Sequence, residues 1–311
     1  MAMRLAVVLG AGMAVGLVAE TTMARGRAEV RRLNVDHVTV CGVDLEIMRK
    51  AFASVGLASD YGGLHANGVT QMALVGFADG SYLELIAPTK PSVVTGSDWG
   101  KFMEGDAGPC AWAVGTSDVQ GDVARLKADG MLTHGPAAGG RKKQDGTQLR
   151  WETASLGPGP PGSELPFLIE DITARSLRVQ PSAGVQGSGL KGIALVVLGV
   201  RELEPAISSF ERAYGWGRPQ VEMHPEWGAN LAYFAATPAV LAAPAQTESW
   251  LAKRLERFGP SPVAFLLGTS EFEPVAKRFG VGGLASWFGR RVGWFEAEKL
   301  RGVRLGVVEE Q

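Results

Sequence analysis

One pattern of strands and a helix recurs four times along this chain, and it limits the possible folds more than any other feature of the sequence. In the first copy, residues 34–41 (NVDHVTVC) have the alternating, β-branched pattern of a strand, and 44–54 (DLEIMRKAFAS) have the apolar spacing of a helix. A glycine-containing loop follows. The copy ends with strands at 71–77 and 81–87, joined by an Asp-Gly turn. We interpret this copy as a β-α-β-β-β unit, three of whose four strands are assigned by the pattern.

Three further units begin near residues 109, 190 and 261. One such unit leaves an apolar sheet face uncovered, so we expect the units to pair. The stretch 176–188 (SLRVQPSAGVQGS) is polar and poor in apolar residues, and it is predicted to link two domains, at 33–175 and 189–308. The predicted elements of the later units are strands at 109–116, 147–153, 165–170, 190–198, 229–236, 239–243, 261–268, 291–296 and 303–308, and helices at 118–129, 202–213 and about 271–279.

Composition excludes several classes of protein. Lys and Arg number 31 against 32 Asp and Glu, for a formal net charge of −1, and no block of like charge offers a nucleic acid a basic face. Two cysteines, Cys41 and Cys110, are too few for a disulfide framework or a thiolate zinc cluster, although a single disulfide remains open.

The N-terminus carries a continuous apolar run, LAVVLGAGMAVGLVA, at residues 5–19. This run is shorter than the roughly 20 residues that span a bilayer, and with Arg4 before it and Ala19 at its end it has the pattern of a secretory signal peptide. Residues 1–25 are therefore expected to lie outside the fold, and the protein is expected to be exported. If Met23 is the true start, the protein is instead cytoplasmic. A dinucleotide-binding turn is disfavoured, because the following segment is polar and Arg-rich.

Four such units, with His in the first strand (DHVTV) and Glu in the last strand of the unit (DGSYLELIAP), resemble the vicinal oxygen chelate superfamily. Glyoxalase I, the extradiol dioxygenases and the fosfomycin- and bleomycin-resistance proteins belong to it. The motifs VDHVTV, GGLHANGVTQMAL, ADGSYLELIAP, DGTQLRW and LPFLIED are most similar to its glyoxalase-like domain proteins, and they are specific only across 33–171. The resemblance implies an α+β fold in which four βαβββ modules pair into two cup-shaped mixed-sheet domains.

The resemblance also implies a divalent metal on the floor of the cup, held by His37 and Glu84. The residue chemistry agrees, because a carboxylate in the apolar strand around Glu84 is costly to bury unless it is paired or binds a metal. His65, in the loop GGLHANGVTQ, is the candidate third ligand. A set of two histidines and one carboxylate suits Zn, Ni, Fe or Mn and leaves coordination positions open for a substrate.

Structural interpretations of the same residues remain open: His37 as a hydrogen-bonded core histidine, Glu84 as a solvent-facing residue and His65 as a loop residue. The corresponding strands of the second module, around 111–114 and 167–169, offer no clear ligand. Modules three and four lack ligands too, at 192–194 and 240–242. His134 and His224 are expected to be surface histidines in loops.

Further residues of the cup are predicted from pattern. Gln71 is a candidate hydrogen-bonding group for a ligand, and Arg141 and Arg150 are candidates to bind a carboxylate or enolate oxygen. Trp112 is a candidate apolar wall, together with Trp151, although ordinary core is the favoured role for both tryptophans.

Glu84 is also the candidate catalytic base, with Glu170 as a second choice. Strict alternation along the two strands predicts that Val35 and Thr39 share the face of His37, that Asp36 points to the opposite face, and that Tyr82 and Ile86 accompany Glu84.

These features favour a metal-dependent enzyme that chelates two adjacent oxygens of a small substrate, with lyase or isomerase chemistry first and ring-cleaving dioxygenase chemistry next. The alternative is a small-molecule binding protein of the bleomycin-resistance type. A third possibility is a cell-envelope scaffold with a degenerate site. The sequence leaves the substrate, the metal and the oligomeric state open.

Overall fold

The structure is a computed structural model, and it describes residues 33–90 and 98–310. The apolar run at 5–19 and the alternative start at Met23 lie outside the described residues. The first half contains strands β1 (Asn34–Cys41), β2 (Asp60–Leu64), β3 (Thr70–Gly76), β4 (Tyr82–Pro88), β5 (Gly108–Gly115), β6 (Thr133–Lys142), β7 (Gln148–Leu156) and β8 (Phe167–Asp171), with helices α1 (Leu45–Ser54), α2 (Gly100–Glu104) and α3 (Val119–Ala128).

A short helix, α4 (Arg175–Arg178), follows the first half. The second half contains β9 (Gly192–Gly199), β10 (Gln220–His224), β11 (Ala229–Tyr233), β12 (Ala239–Pro244), β13 (Ser261–Thr269), β14 (Gly282–Trp287), β15 (Arg290–Trp294) and β16 (Arg304–Glu309), with helices α5 (Leu203–Tyr214), α6 (Trp250–Phe258) and α7 (Phe272–Phe279). Among the described helices, none combines the length and hydrophobicity that crossing a bilayer requires.

Each half folds into one eight-stranded mixed sheet, which confirms the predicted α+β class and the pairing of modules. The first sheet has the order β2-β3-β4-β1-β5-β8-β7-β6, and the second sheet repeats it with β10-β11-β12-β9-β13-β16-β15-β14. Strands β1 and β4 are parallel, as are β5 and β8, whereas β1 and β5 meet antiparallel at the centre. Both modules of a pair therefore contribute their first strand to the middle of the sheet.

Local sequence explains where the helices begin and which face they bury. The carboxylate of Asp44 accepts a hydrogen bond from the Ile47 amide and starts α1, and Asp118 does the same for α3 through the Gly121 amide. Helix α1 buries its apolar side, Leu45, Met48 and Phe52, against the sheet.

Four strands were not predicted, and each is the second strand of its unit and an edge strand of its sheet: β2, β6, β10 and β14. The sequence of β2, DYGGL, was assigned to a loop because it lacks apolar alternation. A strand that pairs on one side only, with both faces partly in solvent, does not need that alternation. Helix α6 was also not predicted, although its buried side is formed by Leu251, Leu255 and Phe258.

A β-bulge in β1 changes the predicted orientation of two side chains. The pairing of β1 with β5 shifts register between Val35 and His37, so that Asp36 is the extra residue. Val35 packs against the helix-side core with Val38, and Asp36 hydrogen-bonds to the ring of its neighbour His37. The alternation-based prediction was therefore wrong for Val35 and Asp36.

The segment between the sheets is packed rather than solvated. Val179, Ser182 and Val185 are buried. The Ser182 hydroxyl donates to Asp60 at 2.6 Å and accepts from the Gly76 amide at 3.1 Å, so the connection lies along the first sheet. The domain boundaries at 33–175 and 189–308 stay a prediction.

The two halves share one apolar core, and a disulfide joins the central strands of the first sheet. The Trp112 ring stacks on Phe210 of α5, with their centroids 6.5 Å apart, inside a cluster that contains residues from both sheets.

Cys41 of β1 forms a disulfide with Cys110 of β5, which settles the single-disulfide option that the sequence left open.

Candidate functional site

A cavity of about 430 Å³ opens on the face of the first sheet opposite α1, and the three candidate ligands lie on its wall. His37 comes from β1, Glu84 from β4, and His65 from the turn that follows β2. Because β1 and β4 are adjacent and parallel, with Thr39 opposite Glu84, His37 and Glu84 project from the same face.

The donor atoms of these three side chains converge. The Nε2 atom of His37 is 3.8 Å from Oε2 of Glu84, and the Nε2 atom of His65 is 3.2 Å from Oε1 of the same carboxylate. The Nδ1 atom of His65 lies 2.8 Å from the Thr70 hydroxyl, which fixes the orientation of that ring. The structure therefore brings together the set that the sequence predicted, although it does not test what the set binds.

Glu84 is a buried carboxylate surrounded by groups that favour its charged form. Only 8% of the residue is exposed, and the Thr39 hydroxyl donates to Oε2 at 3.2 Å. Burial by itself would raise the pKa of Glu84, but the hydrogen bond to His65 and the charges of His65, His37 and Arg141 outweigh it and lower the pKa to about 2. The site thus presents a fixed negative charge at neutral pH.

His37 is oriented from behind by Asp36. The Nδ1 atom of His37 lies 2.6 Å from Oδ1 of Asp36, which leaves Nε2 facing Glu84 and the cavity. Tyr82 stacks on the imidazole ring at 4.7 Å, and Phe167 meets it edge-on at 5.3 Å. A histidine whose far nitrogen is held by a carboxylate is the arrangement that metal-binding histidines commonly have.

Asp36 is itself held by a network that the sequence analysis missed. Arg178 donates to both oxygens of Asp36, at 3.0 and 2.9 Å, and also to both oxygens of Asp171 and to the Tyr82 hydroxyl at 2.7 Å. Arg175 contacts the same two carboxylates. Burial by itself would raise the pKa of Asp36, but the hydrogen bond and charge of His37 and the Arg178 guanidinium hold it well below its usual range.

The available signal for this network was an Asp directly before the candidate ligand His37, in VDHVTV. Two arginines, Arg175 and Arg178, also follow the last strand of the first sheet closely in sequence. Neither feature points to the site unless the bulge in β1 and the folding back of α4 are known.

The three candidate ligands suit a divalent metal by residue type and by the spacing of each histidine from the carboxylate. Two donors that each lie 2.0–2.2 Å from one ion are about 3–4 Å apart, and the separations of 3.2 and 3.8 Å agree with that. Within residues 33–90 and 98–310, however, no group of three or more His, Cys, Asp or Glu side chains is already arranged around a common metal position. Instead, His65 and Glu84 share a direct hydrogen bond.

The two module-two positions that correspond to His37 and Glu84 carry no metal ligand. A second bulge, at Cys110 of β5, mirrors the bulge at Asp36, so Ala111 occupies the position that corresponds to His37. Phe167, which lies opposite Ala113 in the β5–β8 pair, corresponds to Glu84. The three candidate ligands therefore all come from module one. Module two lines the cavity with the apolar side chains of Phe167 and Ile169 and also with the polar side chains of His134 and Arg141.

The second sheet has apolar residues at the corresponding positions. The same bulge recurs at Ala194 of β9, which places Leu195 at the position of His37 and Val240 at that of Glu84. The face is covered by indole rings, with Trp227 in contact with Trp250, Trp287 and Trp294 at 5.1–5.3 Å.

His224 is not the surface loop histidine that we expected. It ends β10, is 7% exposed, and lies between Glu222 and Glu226, with nitrogen–oxygen distances of 3.3 and 3.0 Å. His134, also expected in a surface loop, lies in β6 and lines the first cavity from an exposed position.

The remaining predicted site residues separate into two groups. Arg141 and Trp151 line the cavity. Gln71, Arg150 and Trp112 do not. Trp112 is fully buried in the core shared with α5, which agrees with the core role favoured for it, and Arg150 is exposed on β7.

Gln71 projects away from the cavity, because its neighbours Met72 and Leu74 line it, and its side-chain amide donates to the Pro88 carbonyl. Glu170, the second candidate base, accepts a hydrogen bond from the Val119 amide at 2.9 Å and lies outside the cavity. Sequence spacing alone did not reveal which face of β3 carries Gln71 or which face of β8 carries Glu170.

Comparison with known proteins agrees with this architecture. The model of a family described as a glyoxalase-like domain matches residues 35–196. A search of curated proteins found no match.

Among solved structures, a hypothetical protein from Staphylococcus aureus aligns over 89% of this chain and 100% of its own, with 13% identity and a TM-score of 0.58. A triple mutant of 4-hydroxymandelate synthase from Streptomyces coelicolor aligns over 89% of this chain and 92% of its own, with 11% identity and a TM-score of 0.59. Methylmalonyl-CoA epimerase from Mycobacterium tuberculosis covers 40% of this chain and 91% of its own, with 23% identity and a TM-score of 0.36. For the Staphylococcus aureus protein and the synthase, the likeness at these identities is one of fold.

Proposed function

Because this chain belongs to the glyoxalase-like domain family of the vicinal oxygen chelate superfamily, we propose that it is a metal-dependent enzyme acting on a small substrate with two adjacent oxygens. His37, His65 and Glu84 are the proposed ligands of a divalent ion. The reaction we favour is proton transfer of the lyase or isomerase kind. Ring cleavage with oxygen comes next.

One observation carries this proposal: two imidazoles converge on one buried, ionised carboxylate at the wall of a cavity. A buried carboxylate needs a compensating charge. Among the described residues Glu84 has only the two imidazoles at contact distance, which carry that charge only when protonated, and Arg141 acts on it from farther than ion-pairing distance. A divalent ion held by the three side chains would supply that charge. The three proposed ligands leave coordination positions open, because the module-two positions that correspond to His37 and Glu84 are Ala111 and Phe167.

Each residue has a role that its surroundings support. Asp36 holds Nδ1 of His37 and so keeps Nε2 available, and Thr70 does the same for His65. Tyr82 and Phe167 fix the plane of the His37 ring. When bound, a divalent ion would polarise the chelated substrate oxygens and stabilise negative charge that develops on them.

Glu84 is the proposed base as well as a ligand. Its Oε1 atom is shared with His65 and its Oε2 atom with Thr39, so one oxygen can stay anchored by Thr39 while the other accepts a proton from the substrate. Glu170 is not proposed as a base, because it lies outside the cavity.

The alternative function is binding without chemistry, as in the bleomycin-resistance type of protein. The observation that favours it is the apolar character of the two module-two positions that correspond to His37 and Glu84, which are occupied by Ala111 and Phe167. His65 and Glu84 also form a self-sufficient hydrogen bond that requires no ion.

A proton-exchange experiment separates these functions. Protein loaded with Zn, Mn or Fe(II) is incubated in D₂O with small α-keto acids, α-hydroxy ketones and catechols. Loss of the substrate C–H signal is followed by NMR and oxygen uptake by an electrode. We expect metal-dependent exchange that disappears in Glu84→Gln and persists in Glu170→Gln. Metal-dependent oxygen uptake would favour the dioxygenase, and binding with neither signal would favour the binding protein.

The place of action is a separate proposal. We propose that the protein is exported, and the Cys41–Cys110 disulfide supports this, because such bonds persist in oxidising compartments.

A further inference from the structure

We infer that the natural ligand of this cavity carries one carboxylate that pairs with Arg141, on an otherwise apolar body. This inference depends on the proposed function in one respect: it assumes that the same ligand also binds the metal through its two adjacent oxygens. It narrows the substrate to small monocarboxylates and excludes neutral diols and polyanions.

Arg141 is a buried cation without a counter-ion among the described residues. It is 5% exposed, and its guanidinium donates to the carbonyl oxygens of Gly62, at the bulge in β2, and of Arg178. No carboxylate of residues 33–90 or 98–310 lies within 4.0 Å of it as an ion-pair partner, and burial lowers its pKa. Two of its five N–H groups are occupied in this way. Burying a cation with such partial compensation is costly, so a role in binding an anion accounts for its position.

Arg178 provides the contrast within the same cavity wall. It is buried to a similar degree, at 6% exposed, but its guanidinium is fully engaged by Asp36, Asp171 and the Tyr82 hydroxyl. It therefore has no capacity left for a ligand. Of the two arginines on this wall, Arg141 is therefore the one that can pair with a bound anion.

The rest of the wall determines the character of the ligand. Met72, Leu74, Trp151, Phe167 and Ile169 present apolar surface. Apart from Arg141 and Arg178, the described residues that line the cavity include no Lys or Arg. A volume of about 430 Å³ lies near the lower end of the range for small-molecule sites. A ligand that matches this wall has one anionic group to pair with the guanidinium of Arg141. Its remainder is an aryl or branched alkyl group that packs against the apolar side chains.

A carboxylate is the anion that this geometry favours. A guanidinium binds a carboxylate through two parallel N–H···O bonds, and Arg141 has N–H groups left for such a pair. A phosphate or phosphonate dianion would bring a second negative charge close to Glu84, and the described wall offers no further cation to balance it.

The test compares 3-phenyllactate with its methyl ester, which keeps both adjacent oxygens but removes the charge. Binding is measured by calorimetry on metal-free and on zinc-loaded protein, because a carboxylate can also contact a metal. We expect the wild type to bind the acid about 10- to 100-fold more tightly than the ester in both states. Phenylphosphonate serves as the dianionic probe and should bind less tightly than the acid.

In metal-free protein, Arg141→Gln should remove the preference for the acid and Arg141→Lys should retain part of it. Arg150→Gln, which changes an exposed arginine of the same sheet, should leave the preference unchanged. Equal affinity for acid and ester, failure of the wild type to bind the acid at millimolar concentration, or tighter binding of phenylphosphonate would each overturn the inference. Because the wild-type comparison is made without metal as well, it stays informative if no metal binds. Absence of metal binding contradicts the proposed function alone.

Discussion

Position 36 illustrates how a single residue can control the chemistry of its neighbour. By alternation, Asp36 would point away from His37, but the bulge in β1 turns it to contact Nδ1 of that ring at 2.6 Å. The sequence identified His37 and Glu84 as ligand candidates by residue type and strand position, and His65 by its place in a loop motif that resembles those of the glyoxalase-like proteins. It missed Asp36, Arg175 and Arg178, because a one-residue insertion in a strand and a chain that folds back leave no periodic signal.

We expect Asp36→Asn to weaken the binding of a divalent metal by about 10- to 100-fold, because the orienting carboxylate behind His37 is lost. Calorimetric titration with zinc measures this, and circular dichroism verifies the fold, since the change also leaves Arg178 with one carboxylate fewer. Asp145→Asn, at an exposed turn, is the control. Wild-type zinc affinity in Asp36→Asn would show that Asp36 has no positioning role.

Glu164 offers a test of burial at a site unrelated to the ligands. Burial raises the pKa of this carboxyl. A raised pKa in the folded state means that the charged form costs stability above that pKa, and that the cost disappears as the pH falls and the carboxyl protonates. Glu164→Gln should therefore be more stable than the wild type at pH 7 and equally stable near pH 4. Denaturant unfolding at both pH values measures the difference. A stability gain that is the same at both would contradict the assignment.

Among the elements, the central strands were easier to predict than the edge strands. β1, β4, β5 and β8 are buried on both faces or nearly so, and their apolar, β-branched runs marked them correctly. β2 and β6 carry glycines and polar residues, so their strand character depends on pairing within the folded sheet. For that reason the sequence did not predict the hydrogen bond from Arg141 in β6 to the Gly62 carbonyl in β2.

The disulfide between β1 and β5 makes an element-level prediction. It closes a loop with a sequence separation of 69 residues across the two central strands of the first sheet. Replacing both cysteines by serine should lower the free energy of unfolding by about 2–5 kcal/mol. A reducing agent should lower the melting temperature of the wild type and leave that of the double variant unchanged. A wild-type melting temperature insensitive to reduction would argue against the bond.

At the scale of the whole molecule, repetition predicted two paired-module sheets but not how they pack. The apolar cluster that contains Trp112 and Phe210 extends across both sheets, and Arg254 of α6 donates to the Ala107 and Pro109 carbonyls at 2.6 Å. The repeat pattern describes each unit by itself. Contacts between the sheets depend on which residues of one sheet fit against residues of the other. A single sequence does not reveal these pairs.

This shared core predicts cooperative unfolding. Phe210→Ala removes the ring stacked on Trp112 and should cost about 3–5 kcal/mol, and it should accelerate hydrogen exchange in peptides of both sheets. Leu284→Ala, at an exposed position of β14, is the control and should have little effect. Faster exchange confined to 192–309 would indicate that the two sheets unfold independently.

The central claim is that one divalent metal binds in the first sheet and none in the second, and metal stoichiometry tests it most directly. Protein equilibrated with zinc and dialysed is analysed for bound metal by elemental analysis. The control is His224→Ala, which changes a buried histidine of the second sheet that also contacts two glutamates. We predict one equivalent per chain in the wild type and in His224→Ala, and loss of that equivalent in His37→Ala and Glu84→Gln. Absence of bound metal in the wild type, or its retention in folded His37→Ala, would contradict the account.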